Sequence, residues 1–307
     1  MCLYTAGAQN KTIDSLQKVL QTQKEDTNKI NTLNELASIL IQRSDFPKSL
    51  EYANKALKLS ETLNFKKGKG LAYKNLGGSH QNFDEALKYL NNALIIFKET
   101  GEKQDIGDCY FEIGSAYFYL QQNVPEALKN ILIALKLFEQ TGRKKSIANC
   151  FKLLGMLYLN QEEKTEALTQ SLNALKVYEE IKDSIGTAYI WNVVGDIHNS
   201  DGKESEALKN YLNALKIYEQ LDKRGPDFGV SWTQRNIGNI YLHQAEIADA
   251  AGNKTEADNK FKEALEAFNA IYKWEEDKGI SHRETYTLFG RYYMDAGNRT
   301  TGLKRNE

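Results

Sequence analysis

A chain of 307 residues with 40 Lys plus Arg against 41 Asp plus Glu carries almost no net charge, so it lacks the basic excess that holds a nucleic-acid backbone. Three prolines, 41% hydrophobic and 26% charged residues suit a helical chain in which each element buries one face. No apolar run approaches the roughly 18–20 residues that cross a bilayer.

The first ten residues, MCLYTAGAQN, place Ala6-Gly7-Ala8 ahead of Gln9 in the manner of a secretory cleavage site. The basic and apolar segments that should precede such a site are missing. Two readings stand for residues 1–10: the remnant of a signal peptide, which would put the protein in the periplasm or outside the cell, or a disordered tail of a cytoplasmic protein. Next, IDSLQKVL sets Ile13, Leu16, Val19 and Leu20 on one helical face. A capping helix over 11–26 is predicted, covering the open end of a stack of helices.

From residue 27 onward the chain is repetitive. EALKYLNNAL at 85–94 returns as EALKNILIAL at 126–135, EALTQSLNAL at 166–175 and EALKNYLNAL at 206–215, so Ala86, Ala127, Ala167 and Ala207 stand 40 or 41 residues apart. Self-similarity at this period means stacked helix pairs. A second phrase precedes each of these, with glycine at 77, 114, 155, 195, 238 and 290, an aliphatic residue one before in all but the last, where Phe289 stands, and often a tyrosine three after. Glycine gives up about 1 kcal/mol of helix propensity relative to alanine, so its recurrence implies a close approach by the neighbouring helix. Alanine also recurs seven residues into the second helix, as in Ala127/Ala134 and Ala257/Ala264, which puts small residues at two contact points.

Spacing predicts irregularities too. Gly77 to Ala86 is short, so the first helix of the second repeat should lose about a turn. Gly238 to Ala257 is long, so YLHQAEIADAAGN should add about two turns before Gly252 ends the helix. The connection DKRGPDFG at 222–229 breaks helix and could serve as a hinge. The last repeat stops inside its second helix, an uncapped end that suggests a longer protein, a covering domain or a homodimer contact.

Together these phrases resemble the tetratricopeptide repeat, and the resemblance covers about 27–307. It implies an all-α fold, a right-handed superhelical solenoid of antiparallel helix pairs, with about seven repeats near 27–64, 65–104, 105–143, 144–183, 184–222, 228–278 and 281–307. The 40-residue period is similar to the longer subclass in kinesin light chains and in the sensor regions of bacterial tetratricopeptide histidine kinases and adenylate cyclases. In that family the first helices line a concave groove. Carried onto this chain, the groove positions are Phe111 and Tyr119 with Asp108 and Phe118, Lys152 with Met156 and Leu159, Tyr189, Asn192, Asp196 and Asn199, and Trp232, Arg235, Asn239, Leu242 and His243. The carboxylate clamp of some members is only partly matched, by Arg235 and Asn239, since Leu288 replaces its third residue.

Chemistry has little foothold. Cys2, Cys109 and Cys150 lack metal-binding spacing. Cys109 and Cys150 occupy equivalent places on neighbouring helices about 8–10 Å apart, beyond the roughly 7 Å reach of a disulfide. His80 and His198 stand where other repeats have tyrosine and are expected in the core, while His243 and His282 have no ligand partners at metal spacing. No phosphate-binding loop or activated nucleophile is recognisable. The sequence therefore reads as a non-catalytic scaffold without cofactor or metal that binds a protein or peptide segment in its groove, as an input or interaction module of a signalling protein. The alternative is a purely structural scaffold that self-associates.

Overall fold

A computed structural model describes residues 6–221 and 227–278. Among these residues are thirteen helices and no strand. They are α1 (Ala6–Thr22), α2 (Thr27–Gln42), α3 (Phe46–Thr62), α4 (Lys66–Ser79), α5 (Phe83–Thr100), α6 (Lys103–Tyr119), α7 (Val124–Thr141), α8 (Lys144–Asn160), α9 (Lys164–Glu180), α10 (Ser184–Ser200), α11 (Glu204–Gln220), α12 (Asp227–Ala250) and α13 (Lys254–Lys278). The chain divides into two compact units, Met1–Lys182 with α1–α9 and Asp183–Glu307 with α10–α13. The 222–226 connection and residues 279–307, where a seventh repeat is expected, lie outside the described residues.

Local chemistry sets the helix ends. The side chains of Asp45, Asn82, Asn123 and Asp183 accept from backbone N–H groups three residues on, satisfying donors that the first turn leaves open. Most turns between helices carry one residue in the left-handed region. Glycine takes it at Gly101, Gly142, Gly202 and Gly252, but Ser44, Asn64, Gln122, Glu162 and Lys182 adopt it as well.

Helix pairs close on the repeat glycines. A Cβ on Gly77 would stand 2.5 Å from Leu90, on Gly114 2.7 Å from Ile131, on Gly155 2.6 Å from the Ser171 hydroxyl, and on Gly195 2.5 Å from Tyr211. Each of these partners lies four residues after the EAL alanine, itself fully buried. A side chain at the glycine would force the two helices apart. Alternation of such contacts builds the core as a row of local clusters, for example Ala127, Ile131, Ala134, Phe138, Cys150, Leu153 and Leu157 in the first unit.

The predicted irregularities appear. At 14 residues α4 is about a turn shorter than the 17-residue α6, α8 and α10, and at 24 residues α12 is about two turns longer. The consequence for packing departs from the sequence-based expectation. A Cβ on Gly238 would meet Phe268 at 2.3 Å, and Phe268 follows Ala264 by four residues. Ala264, not Ala257, is thus the packing equivalent of the EAL alanines. The α12–α13 hairpin gains two turns on each helix, and Ala257 packs in the extension with Leu242, Ala245 and Phe261.

At the other end α1 packs on α2 through Ile13, Leu16 and Leu20, with Leu36 and Leu40 facing them. Val19 points outward, 43% exposed. The helix starts at Ala6, so the Ala6-Gly7-Ala8 triplet is helical and not part of an extended tail. His80 also departs from its expected core place: it caps α4, stacks on Tyr89 at 5.2 Å and reaches Glu85 with its Nδ1 at 2.9 Å. Because α4 ends a turn early, its ring lands at the helix end. Cys109 and Cys150 are buried free thiols.

Replacing Gly155 with Leu should destabilise the protein by about 1–3 kcal/mol or more through overpacking at this crossing. Lys129→Ala, at an exposed site paired only with Glu126 on the same helix, should stay within about 0.5 kcal/mol. Equal unfolding midpoints for the two variants would contradict the crossing.

Candidate binding groove

Within each unit, consecutive first helices approach one another: α2 meets α4, α4 meets α6 and α6 meets α8, as α10 meets α12. Among the described residues the second helices make no comparable contact with each other. The first helices therefore form the inner face of each unit, and a ligand groove must be sought among their side chains.

In the second unit that face carries most of the expected residues. Tyr189 of α10 and Trp232 of α12 stand as a tilted ring pair with centroids 5.3 Å apart, both half-buried. Two turns along α10, the Oδ1 of Asp196 accepts from the Tyr211 hydroxyl at 2.6 Å and from the Asn236 side-chain amide at 2.8 Å. Burial pushes the Asp196 carboxyl up to about 6, against the opposing pull of the Tyr211 hydrogen bond and the Arg235 charge. Arg235 and Asn239 are half-buried. The side-chain oxygen of Asn239 is buried and has no hydrogen-bond partner among the described residues.

Two expected groove residues are not available to a ligand. Asn192 is fully buried, 0% exposed. Its amide donates to the Thr233 hydroxyl at 2.8 Å, and that hydroxyl in turn lies 3.0 Å from the Asn192 Oδ1 and 2.6 Å from the Gly229 carbonyl. A buried amide must have partners inside the protein, so Asn192 ties α10 to α12. Leu242 is buried in the α12–α13 core. His243, by contrast, is exposed and hydrogen-bonded to Glu204, as Gln244 is.

The first unit uses similar ties that the repeat pattern alone did not reveal. Asn34 donates to the Gly68 carbonyl at 3.1 Å and Asn75 donates to the Asn34 carbonyl at 2.9 Å, linking α2 to α4. Asp108, expected as a groove residue, is gripped by Lys74 at 3.1 Å and by Arg143 at 3.3 Å. The signal was present in the sequence, since Asn34, Lys74 and Asn192 share the place three residues before the repeat alanine or glycine, and each meets the next first helix. Phe111 and Phe118 lean on the core as half-buried residues. Tyr119 is 59% exposed, with its hydroxyl 4.0 Å from the Met156 sulfur. Lys152 is half-buried on α8. Among the described residues no group of His, Cys, Asp or Glu is arranged to hold a metal, and no helix is long and apolar enough to cross a membrane.

This architecture matches known structures. A Rap protein complexed with Competence and Sporulation Factor aligns at a TM-score of 0.63 and 13% identity, over 92% of this chain and 80% of that one. The fold is that of a tetratricopeptide-type repeat protein. NprR in complex with its cognate peptide NprX gives 0.56 at 19% identity, over 93% and 78%. A signal-transduction ATPase from Pyrococcus horikoshii with a tetratricopeptide repeat sensor gives 0.62 at 16% identity, over 95% of this chain but only 45% of the ATPase. The family model for soluble NSF attachment protein, SNAP, matches residues 78–228, just under half of the chain. A search of curated proteins returns no match.

Two stability measurements test this arrangement. Asn192→Ala should cost about 1–3 kcal/mol, because it removes a buried hydrogen-bonded tie. Asn239→Ala should stay within about 0.5 kcal/mol, since no described partner is left stranded. A second test uses the pH. Burial also raises the Glu112 carboxyl, to about 7, with Lys74 opposing and Asp108 reinforcing the shift. A raised carboxylate stabilises the fold most below its unfolded pKa of about 4.3, and that contribution fades as pH rises through the folded value. Glu112→Gln should therefore match the parent in melting temperature at about pH 4 and exceed it increasingly up to about pH 7. A pH-independent difference would refute the shift.

Proposed function

We propose that this chain is a non-catalytic interaction scaffold that binds a peptide segment along its first-helix face, as an input or interaction module of a larger signalling protein. One observation carries the reading. The inner face of the second unit sets an aromatic pair, Tyr189 and Trp232, beside Arg235 and the unsatisfied side-chain oxygen of Asn239. Aromatic rings bury a ligand side chain, and a turn of the half-buried Asn239 side chain, whose buried oxygen has no described partner to lose, would bring that oxygen to a peptide N–H group. The Rap protein complexed with Competence and Sporulation Factor and NprR in complex with its cognate peptide, both of this fold, support the reading.

The test is selection of binders from a randomised heptapeptide library on the intact chain, followed by calorimetry with the enriched peptides. Trp232→Ala and Asn239→Ala should each weaken binding by about ten-fold, the equivalent of about 1.4 kcal/mol, and Asn239→Ala should do so at unchanged melting temperature. Undiminished affinity in the double variant would move the site away from this face.

A further inference from the structure

The first unit has one groove carboxylate left over. Between α4 and α6 the charges pair off: Lys74 and Arg143 both hold Asp108, and Lys67 holds Glu102 at 2.7 Å with Asp105 lining the same spot. Glu112 on α6 has no such partner. Among the described residues no hydrogen bond or ion pair reaches its carboxylate, and the charged groups that act on it are Lys74 of α4, already committed, and Asp108 of its own helix. The residue as a whole is half-buried, while its carboxyl group lies deep enough between the helices to be pushed up to about 7.

In front of that carboxylate the backbone is bare. Gly78 of α4 sits one residue after the crossing glycine, so it is turned away from the helix partner. A Cβ built on it would meet Ile41 Cδ1 of α2 at 3.3 Å and the Glu112 Oε2 at 3.6 Å, and nothing nearer. Those neighbours come from the first helices on either side, which places Gly78 at the floor of the groove. The missing side chain leaves a shallow niche only about one methyl wide, with an apolar wall at Ile41 and a charge-accepting wall at Glu112. Seven residues beyond Glu112 on the same helix, two turns along the same face, is the exposed ring of Tyr119.

We infer that this niche receives a cationic side chain, lysine or arginine, of the bound peptide. The methylene stem would lie against Ile41 over Gly78, the ammonium or guanidinium would donate to the Glu112 carboxylate, and Tyr119 would offer its ring to the neighbouring part of the ligand. A neutral donor would satisfy one oxygen. A cation also supplies the charge that the carboxylate lacks in a place where its own lysine is engaged elsewhere. The inference rests on the peptide-groove reading and adds to it the class of residue that the ligand must carry.

Two measurements decide it, and they separate its failure from that of the groove reading. In the heptapeptide selection, the parent chain should enrich lysine or arginine at one position. Glu112→Gln, which keeps shape and removes charge, and Gly78→Val, which fills the niche and keeps the charge, should each lose about ten-fold of that preference, a charge-assisted hydrogen bond's share of affinity. Binders without a basic preference, or a preference undiminished in both variants, would overturn the inference. An empty selection would count against the groove reading alone. The side-chain carboxyl carbon of Glu112, followed by NMR against pH, then decides the niche: its midpoint should fall when N-acetyl-argininamide is added in tens of millimolar. A midpoint that stays in place would overturn the inference. Unchanged thermal unfolding of Glu112→Gln at about pH 4 guards against a folding artefact.

Discussion

Close contact between the two helices of a pair is the constraint on which the rest of the structure depends. At the repeat glycines the partner side chain stands 2.3–2.7 Å from where a Cβ would be, so the crossing tolerates hydrogen alone. A helix that accepts glycine in its middle loses propensity, and the burial of Leu90, Ile131, Tyr211 or Phe268 against its bare backbone offsets that loss. With the pair fixed at this distance, the residues before and after the glycine are assigned their faces. Those three before it turn toward the next first helix, and the one after it lies on the inner face, as Gly78 and Asn239 do.

Stacking of pairs relies on a different device. Asn34–Asn75, Lys74–Asp108–Arg143, Asn192–Thr233 and Asp196–Asn236 tie successive first helices across the inner face. An apolar contact there would be indifferent to a shift of one helix along its neighbour. A hydrogen-bonded amide is not, because a buried polar group that loses its partner costs about 1–3 kcal/mol. These ties fix the register of the stack. They also claim many of the polar side chains of the inner face, which leaves the proposed ligand contacts to the residues they do not claim: the Tyr189–Trp232 pair, Asn239, Tyr119 and Glu112.

The α12–α13 hairpin shows how far the pairing rule extends. Two turns added to one helix without two on its partner would leave an apolar face uncovered, and α13 is accordingly 25 residues long against 17 for α11. Leu242, Ala245 and Ala248 on the added turns are covered by Ala257 and Phe261. The crossing is preserved by moving the partner residue from Phe261 to Phe268, seven positions along the same face of the helix.

Sequence alone determined the helix pairs, their order, the short α4 and the long α12, because periodic apolar positions, repeat glycines and their spacings act locally along the chain. It also pointed to Tyr189, Trp232, Arg235 and Asn239 on the inner face, since a position counted from a glycine has a defined direction on a helix. It misplaced Asn192, Leu242 and Ala257, and it passed over Glu112. Whether an asparagine faces solvent or ties two helices depends on what the next helix places opposite it, about forty residues away, as Thr233 is for Asn192. Whether a glutamate is paired depends on which cation its neighbours have already engaged, as Asp108 engages Lys74. Direction on a helix is a local property that the chain encodes directly; partnership across helices exists only once the stack has formed.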